Sequence, residues 1–305
     1  MNTLFALTKR NVKLFFKDKM LFFTSLITPV ILLVLYVTFL AGVFEDVFRA
    51  SLPEGTSDKL INAAVGGQLF SSLLAVCCVT VAFCSNMLMI ADKTNGARGD
   101  IAISPVRRST VALSYFIASA FSTLIICFAA TAVCLVYIAC IGWYMSFADI
   151  MLILLDVIVL TLFGTGLSSL INYFLSSQGQ MSAVGTIISA GYGFICGAYM
   201  PISQYGSVLG HVLSFLPGTY GTSLFRNHAL AGVLSEMENL GYPSEAIASL
   251  RDSLDCNVYF FGNSVPVGAM YAILGGFTAL VVGAYILLNV FGGKKRKNKL
   301  KQKAQ

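Results

Sequence analysis

Residues 109–148 read STVALSYFIASAFSTLIICFAATAVCLVYIACIGWYMSFA, forty residues without Asp, Glu, Lys or Arg. A helix needs about 20 predominantly apolar residues to cross a bilayer, so this stretch is long enough to cross with its ends in the headgroups. Arg107 and Arg108 stand directly before it and Asp149 directly after. Working outward, four further uncharged runs cover 20–44, 60–91, 157–225 and 256–293, and each exceeds the same length. Of the 305 residues 57% are hydrophobic and 11% charged, with a mean hydropathy of +0.80. A soluble domain carries about 25% charged residues, and these runs would have no soluble core to enter. Soluble enzyme folds are excluded, and the chain reads as a single integral membrane domain over 1–305.

The run 157–225 is too long for one span. The polar cluster Ser176, Ser177, Gln178, Gly179, Gln180 interrupts it first, and Pro201, Gly206, Gly210, His211, Pro217 and Gly218 interrupt it again. The expected architecture is all-α, with an N-terminal amphipathic interfacial helix over 1–19 and six transmembrane helices. These lie at about 21–44, 63–91, 110–141, 149–172, 181–200 and 266–291, the first five filling 21–200. Between the last two, 201–265 is expected to hold a re-entrant helical hairpin and an extracellular subdomain, and 292–305 a basic tail.

Lys and Arg near span ends stay on the cytoplasmic side. With both termini inside, sixteen of the twenty fall in inner segments and only Arg49, Lys59, Arg226 and Arg251 fall outside. A seventh span through 202–225 would push the basic tail outward, so 201–217 is expected to dip in and return. Irregular backbone at membrane depth is tolerated only where protein or water satisfies it, which makes Pro201, His211, Pro217, Tyr220 and Arg226 candidates for lining a substrate pathway. The first apolar run lacks a cleavage site after a short core, so it is expected to stay as a signal anchor in the plasma membrane. Seven of the Lys and Arg lie from Lys294 to Lys303, a tail suited to anionic headgroups rather than to nucleic acid.

Within 1–19, Lys9, Lys13 and Lys17 recur at i, i+4 and i+8, with Phe5, Val12, Phe15 and Phe16 on much of the other side. That pattern suits a helix lying in the interface of a lipid bilayer. Residues 92–108 combine mixed charge, a Gly-rich turn, the apolar patch Ile101 to Ile103 and a Ser104-Pro105 break. A short helix there could seat in a partner's groove. Asp156 is the ionisable residue well inside a span, and such a carboxylate faces a cavity or a polar partner. It could contact a cationic substrate, relay protons, or make a protonated packing hydrogen bond. In the outer stretch 229–262, Ser244 can cap a helix in which Ile247, Leu250 and Leu254 share a face, forming a lid or a plain solvated loop. Gly164, Gly166, Gly191, Gly193 and Gly197 invite close helix approach, the last two at GxxxG spacing. Seven of the eight cysteines fall in spans and suit packing; His211 and His228 are expected outside, with no third ligand, so no metal site is expected. No GxxxxGK[ST] phosphate cradle occurs, and no catalytic constellation stands on one side of the membrane.

Glycine, a short apolar patch and then Ser104-Pro105-Val106 with basic residues resembles the first cytoplasmic loop of the type-2 ABC transporter permeases, the membrane subunits of ATP-driven exporters. The amphipathic start, the six spans, the broken hairpin and the run Phe215-Leu216-Pro217-Gly218-Thr219-Tyr220-Gly221 ending near Arg226 are similar to that family over nearly the whole chain. The chain departs from the family at Ala97 and Gly99, where Thr and Glu are frequent, and its outer stretch is longer than usual. The resemblance implies a permease that moves an amphipathic drug, antibiotic, peptide or lipid-like compound out of the cell. It implies two ABC ATPase subunits, which carry ATP and Mg while this chain binds no cofactor. It also implies a second permease subunit, as homodimer or heterodimer. ATPase coupling would fall to Asp92, Gly96, Ala97, Arg98, Asp100, Ile101, Ile103, Ser104 and Pro105 with Lys9 and Lys13, and the substrate pathway to Asp156 with the five residues of the broken segment. The alternatives are an ion-coupled carrier using Asp156, or a membrane resistance or scaffold protein that transports nothing.

Overall fold

A computed structural model of the chain describes residues 2–52 and 56–303. The chain begins with α1 (Asn2–Lys17) and α2 (Lys19–Leu35), separated by Asp18, whose carboxylate accepts the Met20 and Leu21 amides and so starts α2. A π-helical turn, Tyr36–Leu40, joins α2 to α3 (Ala41–Ser51) and turns Tyr36 fully into the core. α4 (Asp58–Ser85) and α5 (Met87–Thr94) form the second long unit, followed by the short α6 (Ala97–Ile103). Then come α7 (Arg108–Ile141) and α8 (Phe147–Phe174), the latter started by a reciprocal capping box between Ser146 and Asp149.

α4 is the hub. It is buried along nearly its whole length, with α7, α8, α11, α2 and α9 packed around it. Its run from Leu69 to Thr80, mostly Leu, Val, Ala, Cys and Ser with one Phe, is what a helix surrounded by other helices requires: uncharged on every side and mostly small enough for close contact. Gly164 of α8 is one such contact, since an added Cβ would meet the Val79 Cα at 2.9 Å and the Cys78 carbonyl at 3.0 Å. α2 and the last helix carry apolar residues outward instead, among them Phe23, Ile31, Val34, Leu280 and Leu287.

Five helical segments are long and apolar enough to cross a bilayer: Lys19–Arg49, Asp58–Thr94, Arg108–Ile141, Phe147–Phe174 and Val267–Phe291. They match five of the six expected spans. The sixth, expected at 181–200, is α9 (Gln178–Ile195), which starts where the polar cluster breaks the long run but stops early. Gly197 takes a left-handed φ of +74°, and the Ala198 amide turns back to the Gly193 carbonyl at 2.8 Å. The Gly193/Gly197 pair thus ends a helix rather than seaming two together.

After α9 the chain breaks as its prolines and glycines dictate, into a 3₁₀ turn at Ile202–Gln204, α10 (Ser207–Ser214) and α11 (Pro217–Asn239). α11 has proline at its first turn, where a missing amide costs nothing, and runs on through 229–239 without a stop. Its start lies deep, with Gly221 against Leu160, and its far end reaches the α7–α8 turn, where Gly232 abuts the Tyr144 carbonyl. α12 (Ser244–Ser253) buries Ile247 and Leu250, with Leu254 beyond its end, as their spacing predicts. Its cap differs from expectation: Pro243 is the N-cap and the Ser244 side chain caps nothing, because Ser244 is already helical. A hairpin of β1 (Val258–Phe260) and β2 (Asn263–Val265) leads into α13 (Val267–Lys303), which carries the helix through the basic tail. Ala304 and Gln305, and the tail side chains beyond Phe291, lie outside the described residues. The eight cysteines are free thiols.

Candidate functional site

One end of the bundle carries α6. Asn95 closes α5, and Gly96 turns the chain at φ +82°, a conformation strained for any residue with a Cβ. The Gly96 carbonyl accepts the Gly99 and Asp100 amides at 2.7 and 3.2 Å, and Ser104 ends the helix by donating to the Ile101 carbonyl at 2.6 Å. Asp100, Ile103, Ser104 and Pro105 are exposed, Ile103 at 87%, whereas Ala97, Arg98 and Ile101 are half-buried. Arg98 donates to Asn289 of α13 at 2.9 Å, so α6 is tied to the last long helix as well as to α5.

α1 is fastened to the same end. Arg10 makes two bonds to Asp92 of α5, at 2.6 and 3.2 Å, and Tyr115 of α7 donates to the same carboxylate at 2.6 Å. The bond to Asp92 raises the Arg10 pKa further above its already high value. Asn11, buried, reaches Ser114 of α7, and Phe15 is buried beside it. Lys9 and Lys13 stay exposed on the outer face of α1. Asp92, expected among the coupling residues of 92–108, is buried and ties α1, α5 and α7 together. Lys93 folds back to donate to the carbonyls of Asn172, Tyr173 and Leu175 at 2.7, 3.0 and 2.8 Å, closing the C-terminus of α8.

The second constellation lies within the bundle. Asp156 of α8, 1% exposed, has its Oδ2 2.6 Å from His228 Nδ1 of α11, and Tyr271 of α13 donates to Oδ1. His228 is thus buried at helix depth, not on the outer surface. Two residues before it, Arg226 donates to the Gly197 carbonyl at 2.6 Å and to Asp255 at 3.2 Å, while Asp255 also accepts the Ile202 amide. Tyr220 donates to the Ser214 carbonyl at 2.6 Å and Thr219 to the Leu213 carbonyl at 2.8 Å, closing the α10–α11 corner. His211, exposed on α10, stacks on Phe261 at 5.3 Å. Of the residues expected to line a pathway, Asp156, Pro201, Pro217, Tyr220 and Arg226 are buried in protein. Thr219, Tyr220 and Arg226 of the broken segment, with Asp255 from beyond α12, bond part of its backbone within the protein. A small cleft instead lies at the α6 end, lined by Asn11, Ser85, Asn86, Tyr115, Ser119 and Ser122 among others.

Arg10, Tyr115, Asn289, His228, Tyr271 and Asp255 were not singled out as site residues from the sequence. Their partners lie tens to hundreds of positions away, His228 from Asp156 by 72 and Arg98 from Asn289 by 191. Only the polar pair Arg10-Asn11, set beside the lysine stripe, marks a buried face locally. Among the described residues no group of three His, Cys, Asp or Glu could hold a metal ion.

The family model for the ABC-2 type transporter matches residues 2–229, from α1 into the second half of α11. No curated protein matches the chain. Long apolar helices around a buried hub, an exposed short helix between the second and third of them, and a family match over most of the chain agree. The chain belongs to the ABC-2 type transporter family and is a multi-pass membrane permease component, not a catalytic subunit.

Proposed function

We propose that this permease serves an ATP-driven exporter that moves an amphipathic drug, antibiotic, peptide or lipid-like compound out of the cell by alternating access. Two ATPase subunits dock on the α6 end, and a second permease subunit completes the membrane unit. Both termini face the cytoplasm of the plasma membrane, with α9 as the crossing that makes the count six. ATP and Mg belong to the partner, in keeping with a sequence that lacks the GxxxxGK[ST] pattern.

The observation that carries this reading is α6 itself. It is an exposed helix that presents Ile103 to solvent yet is bonded through Arg98 to α13 and stands on α5, beside Asp92 and its ties to α1 and α7. A push on such a helix reaches several long helices at once. Gly96, Ala97, Asp100, Ile101, Ser104 and Pro105 shape and present the docking surface, Arg98 and Asp92 transmit from it, and Lys9 and Lys13 flank it on α1. At the other end, the joint of Pro201, His211, Pro217, Tyr220 and Arg226 moves as a unit to open the pathway. A ligand shifts such an equilibrium only through different affinities for its two states.

The test is to isolate the tagged protein from native membranes in mild detergent, identify stoichiometric partners, and measure ATP hydrolysis and transport. An ATPase with Walker motifs is expected, and Ile101→Asp with Ile103→Asp should abolish coupled transport while the permease still inserts. Normal transport by that double variant refutes the coupling role of α6.

A further inference from the structure

Asp156 was expected to face a substrate or a polar partner, and the structure leaves it little room for a substrate. Both carboxylate oxygens are taken, Oδ2 by His228 and Oδ1 by Tyr271, and the residue is 1% exposed. The His228 and Tyr271 rings stack at 6.4 Å with 21° between their planes, so the three side chains form one block joining α8, α11 and α13. Among the described residues, His228 and Tyr271 are the groups that bond the carboxylate, and the nearby Cys78 thiol of α4 donates to the carbonyl of Val157 at 3.9 Å. Arg226, two residues from His228, is engaged elsewhere, with Asp255 and Gly197.

We propose that Asp156, His228 and Tyr271 constitute a proton-binding site within the membrane, and that its proton count sets how firmly α11 is held between α8 and α13. The charge count supports this. With a neutral imidazole, an ionised carboxylate and a neutral phenol, the block carries −1. One added proton, shared across the 2.6 Å contact, brings it to zero. A second leaves an imidazolium beside a carboxylic acid, at +1. An uncompensated buried charge is costly, and among the described residues no arginine or lysine bonds to the block. The one-proton state is therefore the tight one. Losing that proton, or gaining another, favours arrangements that admit water, and α11 is the element concerned because it carries His228 and packs between α8 and α13. The site regulates the permease through α11 and does not depend on an ATPase docking at α6, so the two readings stand or fall separately.

The experiment is hydrogen–deuterium exchange of the unaltered protein in lipid nanodiscs from pH 5 to 9, corrected for intrinsic exchange. The amides of 217–239 should show a titration step of about tenfold, the change that accompanies one pKa unit of linkage, with no such step in α7. Asp156→Asn together with His228→Gln should abolish it, either change alone should move its midpoint because one titrating partner remains, and Tyr271→Phe, which removes a donor but no charge, should keep the step. Because the chain has only two histidines, ¹⁵N-histidine solid-state NMR of the unaltered protein checks the same site without relying on the variants, His211→Gln assigning the two. The Nδ1 signal of His228 should show a strong bond to a carboxylate and titrate together with the exchange step. Flat exchange in 217–239, a step that survives Asp156→Asn together with His228→Gln, or a His228 signal unchanged over the range each overturns the proposal.

Discussion

Replacing Arg226 with methionine tests whether the broken segment is held as one joint. Arg226 is 1% exposed and joins three pieces of chain: α11, the turn after α9 through the Gly197 carbonyl, and the segment after α12 through Asp255. Methionine keeps most of the volume and removes the charge and both donors. The carboxylate of Asp255, itself 6% exposed, then loses the Arg226 guanidinium and keeps the Ile202 amide. Removing one partner of a buried ion pair costs roughly 3–5 kcal/mol. At about 2 °C per kcal/mol, the low end for larger domains, the apparent melting temperature should fall by about 6 °C or more. The assay is the fraction of detergent-solubilised protein that remains monodisperse by size-exclusion chromatography after graded heating. Changing Asp255 to asparagine in the same chain should recover most of the loss, because the buried charge is gone and asparagine tolerates the left-handed φ of 51° at that position. If Arg226→Met melts with the unaltered protein, the guanidinium does not brace the joint. If the double variant melts no higher than the single one, the buried charge is not the cause.

Further expectations are as direct. Gly232→Ala should destabilise by about 1–3 kcal/mol, because its Cβ would overlap the Tyr144 backbone, which cannot swing aside. Gly275→Ala, in α13 with nothing within 4 Å, should be neutral or slightly stabilising in the same heating assay; equal effects at the two sites would contradict the packing of α11 on the α7–α8 turn. Burial pushes the Cys256 thiol from 9.0 up to about 11. The fold thus favours the protonated thiol, a contribution fully present below about pH 9 and lost between about 9 and 11. At pH 8 maleimide should leave Cys256 unmodified in the folded protein and label it once the chain is denatured, as peptide mass spectrometry would show; rapid labelling without denaturant would refute its burial.

Much of this architecture is local, and so was legible in the amino-acid sequence. Length and hydropathy decide whether a segment can cross a bilayer, which is why the uncharged runs became long helices. The polar cluster at 176–180 became the α8–α9 break for the same kind of reason, since side chains of that type compete with the helix for backbone bonds. Gly96 and the Ser104-Pro105 pair delimit α6 because backbone turns are written in residue type. The burial of Ile247, Leu250 and Leu254 followed from their spacing. What failed was what depends on the neighbour. The GxxxG pair Gly193 and Gly197 serves a left-handed turn after α9 and not a partner helix. Asp92 was grouped with the cytoplasmic coupling segment and His228 was placed outside, yet each is buried against a group whose position only the packing of helices determines, Arg10 and Tyr115 for one and Asp156 for the other. Helix formation spends its information within four residues along the chain. The pairing of a carboxylate with a histidine 72 residues away is settled only when α11 lies between α8 and α13.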